Sequence, residues 1–100
     1  FSFSSTGKYL IIVLAMMYST GYNNVQTYVD SGDGTFTSRA RASGVGNSHE
    51  NGASSHCFVD VTSTDFKVKL YSSNNNNSTT VYGDTGYNKT AITFIRICDT

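Results

Sequence analysis

Short apolar segments alternate along this chain with clusters of small polar residues. Turn-forming clusters stand at Ser4–Gly7, Ser19–Gly21, Asp30–Gly34, Ser43–Ser55, Ser63–Asp65, Ser72–Thr79 and Gly83–Asn88. The segments between them are rich in β-branched and aromatic residues, which fit a pleated, half-buried surface. Strands bounded by turns at this spacing predict a sandwich or a barrel. The expected strands are Phe1–Phe3, Lys8–Tyr18, Asn24–Asp30, Thr35–Ala42, His56–Val61, Phe66–Tyr71, Thr79–Tyr82 and Thr90–Ile97. In Asn24–Asp30, Val25, Thr27 and Val29 alternate with Gln26 and Tyr28. In Phe66–Tyr71, Phe66, Val68 and Leu70 alternate with Lys67, Lys69 and Tyr71. Alternation with period two gives each strand one dry face and one wet face.

Lys8–Tyr18 breaks that rule, because Tyr9 through Met17 is apolar at every position. A buried helix has the same signature. The β-branched run Ile11-Ile12-Val13 and the surrounding β pattern favour a strand. Such a strand needs apolar partners on both faces. Thr90–Ile97 repeats the feature, with Ile92 and Phe94 facing one way and Ile95 and Ile97 the other. A two-layer domain has only one inner layer. Two strands that are apolar on both faces therefore imply a subunit interface, since an exposed patch of this kind invites aggregation.

Composition narrows the class further. One hundred residues make one domain, 1–100, with no visible linker or repeat. Seven basic and seven acidic residues balance to zero net charge, which argues against nucleic acid as a partner. The longest apolar run is about half of what a membrane span requires, so no membrane insertion is expected. No secretory leader is visible. The first residue is Phe1, and Phe1–Phe3 reads as strand, so the chain is expected to be part of a longer one.

Catalytic constellations are scarce. His49, Glu50 and His56 match no zinc spacing. His56 beside Cys57 would place an imidazole and a thiol on opposite faces of one strand, which defeats nucleophilic activation. Asp30-Ser31-Gly32-Asp33-Gly34 has acidic spacing reminiscent of a Ca²⁺ loop but lacks the rest of that series, so a tight turn is the better reading. No carboxylate pair stands out for glycoside hydrolysis. The expectation is a non-enzymatic protein without cofactor or metal. Sequons at Asn76, Asn77 and Asn88 read as solvated loop sequence. Tyr18, Tyr22, Tyr82 and Tyr87 fall in or near loops, where tyrosine with Asn and Ser makes adaptable recognition surfaces. Cys57 and Cys98 admit either one disulfide or two free thiols.

Several short stretches carry a family likeness. Phe1-Ser2-Phe3, Ser5-Thr6-Gly7-Lys8-Tyr9-Leu10, Val59-Asp60-Val61-Thr62-Ser63-Thr64-Asp65 with Val68-Lys69-Leu70, and Thr93-Phe94-Ile95-Arg96-Ile97 occur in that order. They resemble the tumour necrosis factor and complement globular-head superfamily. The abundance of Ser, Thr and Asn and the ending Phe94-Ile95-Arg96-Ile97-Cys98-Asp99-Thr100 are most similar to domains on structural proteins of marine bacteriophages. Cys98 stands where that family usually has Gly, and Arg96 where an apolar residue is common. The resemblance implies a two-sheet antiparallel jelly-roll sandwich of ten strands, lacking its first strand here, that forms a homotrimer around a three-fold axis. It places Leu10, Ile12, Val59, Ile95 and Ile97 at the trimer interface. Tyr9, Ile11, Val13, Ile92 and Phe94 would then fill the subunit core. It also sets Cys57 and Cys98 on strands separated by a third, about 10 Å apart and beyond disulfide reach.

The function expected on these grounds is a structural or assembly module on the surface of a virion, in a tail fibre, a knob or a capsid decoration protein. Its partners would be further copies of itself, other virion proteins and a host receptor or glycan met through apical loops at Ser43–Ser55 and Ser72–Ser78. The alternative is a secreted, extracellular ligand- or carbohydrate-binding module of the same fold, with Ca²⁺ near Asp30 and Asp33.

Overall fold

The structure, a computed structural model, describes residues 1–45, 48–72 and 80–100. Those residues form an all-β, two-sheet antiparallel sandwich, as the residue pattern requires. Seven strands occur among them, where the family likeness implied ten less the first: β1 Gly7–Ser19, β2 Tyr22–Asp30, β3 Thr37–Val45, β4 His49–Val61, β5 Lys67–Tyr71, β6 Thr80–Val81 and β7 Ala91–Cys98. One sheet has β1 at its centre, with β4 along one edge and β6 and β7 along the other. The second sheet has the order β3-β2-β5.

A single folded ribbon builds both sheets. β1 and β4 pair from Gly7 opposite Val61 to Ser19 opposite His49. The same two chain passes continue, after the bend, as β2 and β3, from Tyr22 opposite Val45 to Val29 opposite Thr37. The two halves of the ribbon thus become the facing sheets of the sandwich. A third pass, β5 through β7, runs antiparallel along the other side of β1 and β2. Each of the other five strands among the described residues thus pairs with β1 or β2. The turn that closes the ribbon is Asp30–Gly34. Asp30 Oδ1 accepts the Gly32 and Gly34 amides at 2.8 and 3.0 Å, and both glycines have positive φ.

Between the sheets lie Tyr9, Ile11, Val13, Ala15 and Met17 from β1, facing Val25 and Val29 from β2, with Val59, Val61 and Val68 beside them. Phe3 joins this core, with ring centroids 4.7 Å from Tyr9, 5.7 Å from Phe66 and 5.5 Å from Phe94. The expected core set Tyr9, Ile11, Val13, Ile92 and Phe94 is found there, the last two packed against its margin.

Three local expectations are overturned. Phe1–Phe3 is not a strand. It makes one isolated bridge, Ser2 to Lys67, and Phe1 exchanges main-chain hydrogen bonds with Val68 at 2.7 and 2.9 Å. Most of the stretch Ser43–Ser55 is strand, not apical loop, because β3 runs on to Val45 and β4 starts at His49; residues 46 and 47 lie outside the described residues. Its residues are turn formers, yet the second half of β1 needs main-chain partners, and His49–Ser55 supply them. Finally, the outward side of β2 is wet only towards its ends, at Tyr22 and in part at Tyr28: Asn24 and Gln26 between them are as buried as Val25 and Val29 on its inward side. The central strand of a three-stranded sheet is walled in by the side chains of both neighbours.

Candidate assembly face

Each strand of the first sheet shows one face to the core and one to the outside. Tyr9, Ile11 and Val13 point inward, so Leu10, Ile12 and Leu14 point outward. Pairing then fixes their neighbours. Leu10 lies between Phe58 on β4 and Ile95 on β7, Ile12 between His56 and Thr93, and Leu14 between Ser54 and Ala91. These rows make a continuous outward surface whose lower half is apolar. Leu10 and Ile12 are half-buried because they occupy the central strand. The flanking residues are more open: Phe58 is 67% exposed, Ile97 52% and Ile95 44%. Large side chains this open normally gain a partner, since contiguous apolar patches are rare on monomers.

The lower end of the face is shaped by a bulge. Lys8 pairs with Cys98 and Tyr9 with Arg96, so Ile97 is the extra residue of β7. Ile97, Cys98, Lys8, Phe58 and Asp60 line a shallow depression there. Leu10, Ile12, His56 and Phe58 line a second one above it. Arg96, exposed on β7, ties that strand to the segment leading into β1. Its Nε and Nη2 donate to Thr6 O at 3.1 and 3.0 Å, and Nη2 donates to Asp99 Oδ1 at 2.6 Å. That carboxylate, hydrogen-bonded to the guanidinium, raises the Arg96 pKa further. Gly7 makes room for the arrangement: a Cβ there would lie 2.7 Å from Arg96 Nε and 2.9 Å from Cys98 O.

Of the five residues the family likeness set at the interface, the structure brings Leu10, Ile12, Ile95 and Ile97 to this face. Val59 does not join them. It pairs with Tyr9, points the same way, and is a buried member of the core. Phe58 takes its place as the largest and most exposed residue of the patch. The sequence carried a sign of this: Val59 and Val61 share a face, and two valines beside Phe66 and Val68 belong in a core.

The candidate chemical groups stay apart. His49 and His56 are seven residues apart on one strand, on opposite faces and about 23 Å from each other. Glu50 accepts from Lys89 at 3.5 Å. Cys57 faces inward, away from His56, and burial raises its pKa, which disfavours the thiolate. Cys57 and Cys98 are both free thiols, with β1 between their strands. Both Asp30 and Asp33 serve the turn, the latter accepting the Thr35 amide at 2.8 Å. No cluster of three or more His, Cys, Asp or Glu side chains able to hold a metal occurs among the described residues. Tyr82 and Tyr87 hold Lys89 between them, its Nζ 5.1 and 5.7 Å from their ring centroids. Asn88 is exposed, while Asn76, Asn77 and most of Ser72–Ser78 lie outside the described residues. Among the described residues no helix is long and apolar enough to cross a membrane.

No protein-family model, curated protein or solved structure matches this chain.

Proposed function

We propose that this domain is a non-enzymatic assembly module that forms a homotrimer through the outer face of its first sheet, as part of a structural protein on a virion surface. The observation that carries the reading is the row Phe58–Leu10–Ile95. It is apolar across all three strands and lies on the side of the sheet away from the core. Burying such a row gains roughly 25 cal/mol per Å² of apolar surface, the usual driving force of association. Lys8 and Asp60 stand directly opposite each other at its edge, where charges at a polar rim fix orientation more than affinity. The likeness to tumour necrosis factor and phage structural domains supports three-fold symmetry and a tail fibre, knob or decoration protein as the setting.

Sedimentation equilibrium of the isolated chain tests this. A trimer at micromolar concentration that falls to monomer in Phe58→Asp, with the fold retained, is the expected result. A wild-type chain that stays monomeric throughout that range overturns it.

A further inference from the structure

The outer face of the second sheet differs in kind from that of the first. Its central strand shows Tyr22, Asn24, Gln26 and Tyr28 outward. Arg41 and Ser43 flank them on β3, and Lys67, Lys69 and Tyr71 flank them on β5. The two amides form a buried floor, Gln26 Nε2 donating to Asn24 Oδ1 and Ser38 Oγ donating to Gln26 Oε1, each at 3.1 Å. Beside the exposed Ser38, Ser43 and Val45 on β3, what reaches solvent is aromatic or cationic. Tyr22 and Tyr71 are exposed, and so are Arg41, Lys67 and Lys69.

These groups are held in place. The Lys69 ammonium sits 4.2 Å from the Phe36 ring centroid and 5.7 Å from that of Tyr28. Tyr71 meets Tyr28 edge to face at 5.5 Å. The Tyr22 hydroxyl lies 3.2 Å from Ser43 Oγ. Arg41 is opposite Gln26, and Gln26 is opposite Tyr71, so the guanidinium strand and the aromatic strand stand two ladder spacings apart, about 10 Å. Three of the chain's seven Lys and Arg residues are on this face. The one acidic side chain there, Asp30, is buried and bound to the Gly32 and Gly34 amides. A chain of zero net charge thus has one locally positive, ring-bearing face.

We infer that the outer face of the second sheet binds an acidic oligosaccharide, a glycan carrying carboxylate or sulfate groups. The Arg41 fork matches a carboxylate or sulfate in geometry as well as charge. The Tyr71 and Tyr22 rings offer apolar surface to a pyranose face and hydroxyls to its edges. A nucleic acid is a poorer fit. Its affinity grows with the number of phosphates neutralised, and three cations, one of them engaged with two rings, supply few. Tyr28 also has Lys69 and Tyr71 against it, so the face lacks a row of open rings for stacked bases. The surface is independent of assembly, because it lies on the opposite side of the sandwich from Phe58 and Leu10.

Calorimetric titration of the full chain with sialyllactose and with a chondroitin sulfate tetrasaccharide tests the inference, with lactose, oligo(dT) and a glutamate peptide as comparisons. Saturable binding of an acidic saccharide but not of lactose is expected. Arg41→Ala and Tyr71→Ala should each weaken it about tenfold or more, a loss of about 1.4 kcal/mol. Both side chains are exposed, so melting temperature should hardly change and Lys8→Ala, on the other sheet, should bind as wild type does. The inference is overturned if neither acidic saccharide binds, or if oligo(dT) or the glutamate peptide binds as tightly as the saccharide. Equal weakening in Lys8→Ala overturns it as well.

Discussion

Leu10 and Phe58 stand directly opposite each other in the β1–β4 ladder, both pointing away from the core, while their chain neighbours Tyr9 and Val59 form the next pair and point into it. Stability and association therefore rest on adjacent residues and can be separated by mutation. Val59→Asp should prevent folding, because an unpaired charge buried between the sheets has no compensating partner. Phe58→Asp should leave the circular dichroism spectrum intact and the melt cooperative, shifted down only by the stability that assembly adds. Ile95→Asp and Phe94→Asp form the same contrast on β7, where Ile95 pairs with Leu10 and Phe94 with Ile11. Equal loss of folding in both members of a pair would refute the face assignment.

Truncations along β1 extend the contrast. Ile11 is fully buried and Ile12 only half so. Ile11→Ala should lower the unfolding free energy by about 2–5 kcal/mol, the range for a large aliphatic side chain removed from a packed core. Ile12→Ala should remove much less from a dissociated subunit. Urea denaturation at low protein concentration measures both.

Gly7 is at the start of β1 with φ 150°, and a Cβ would run into both Arg96 Nε and the carbonyl of Cys98. The guanidinium can move but the carbonyl belongs to the β1–β7 ladder. Gly7→Ala should therefore destabilise by roughly 1–3 kcal/mol through overpacking and backbone strain. Its melting temperature should drop, whereas Gly83→Ala, with open space around it, should melt like the wild type.

The Asp30 carboxylate has its pKa lowered, first by the Gly32 amide and then by the Gly34 amide. A carboxylate whose folded-state pKa is depressed stabilises the fold fully above its unfolded value, about 3.9. That contribution is lost as pH falls through the lower, folded-state value. Thermal melts across the acid range should show wild type losing stability there and Asp30→Asn losing less, since the amide oxygen still accepts but does not titrate. Parallel acid profiles for the two proteins would exclude Asp30 as a source of the slope.

Thiol labelling reads both the core and the assembly face. Cys57 is partly buried with a raised pKa, and Cys98 is exposed. Ellman's reagent should modify Cys98 rapidly and Cys57 only on opening of the sandwich, and Cys98→Ser should abolish the fast phase. Because Cys98 lines the depression beside Phe58 and Ile97, its fast phase should slow as protein concentration rises into the range of assembly. A rate independent of concentration would place Cys98 outside the interface.

Much of this was legible in the residue pattern. The strict succession from Tyr9 to Met17 identifies a strand apolar on both faces, and Phe66-Lys67-Val68-Lys69-Leu70 gives its buried and exposed sides directly. Other stretches were not. Asn51, Gly52, Ser54 and Ser55 carry turn propensity, yet they are strand because β1 runs beside them. Asn24 and Gln26 look like the wet side of β2 but are covered by Arg41, Ser43 and Tyr71 from its neighbours.

By itself, then, the sequence determined most of the strands, though not Phe1–Phe3 or His49–Ser55, and that one of them has a surplus apolar face, because side-chain alternation is a local property set by backbone geometry. Only the tertiary structure decided which residues share that face. Register is a relation between strands, and a shift of one position exchanges the two faces of a strand. That is why Leu10, Ile12, Ile95 and Ile97 lie on the outer face as expected, while Val59 turned inward and Phe58 outward.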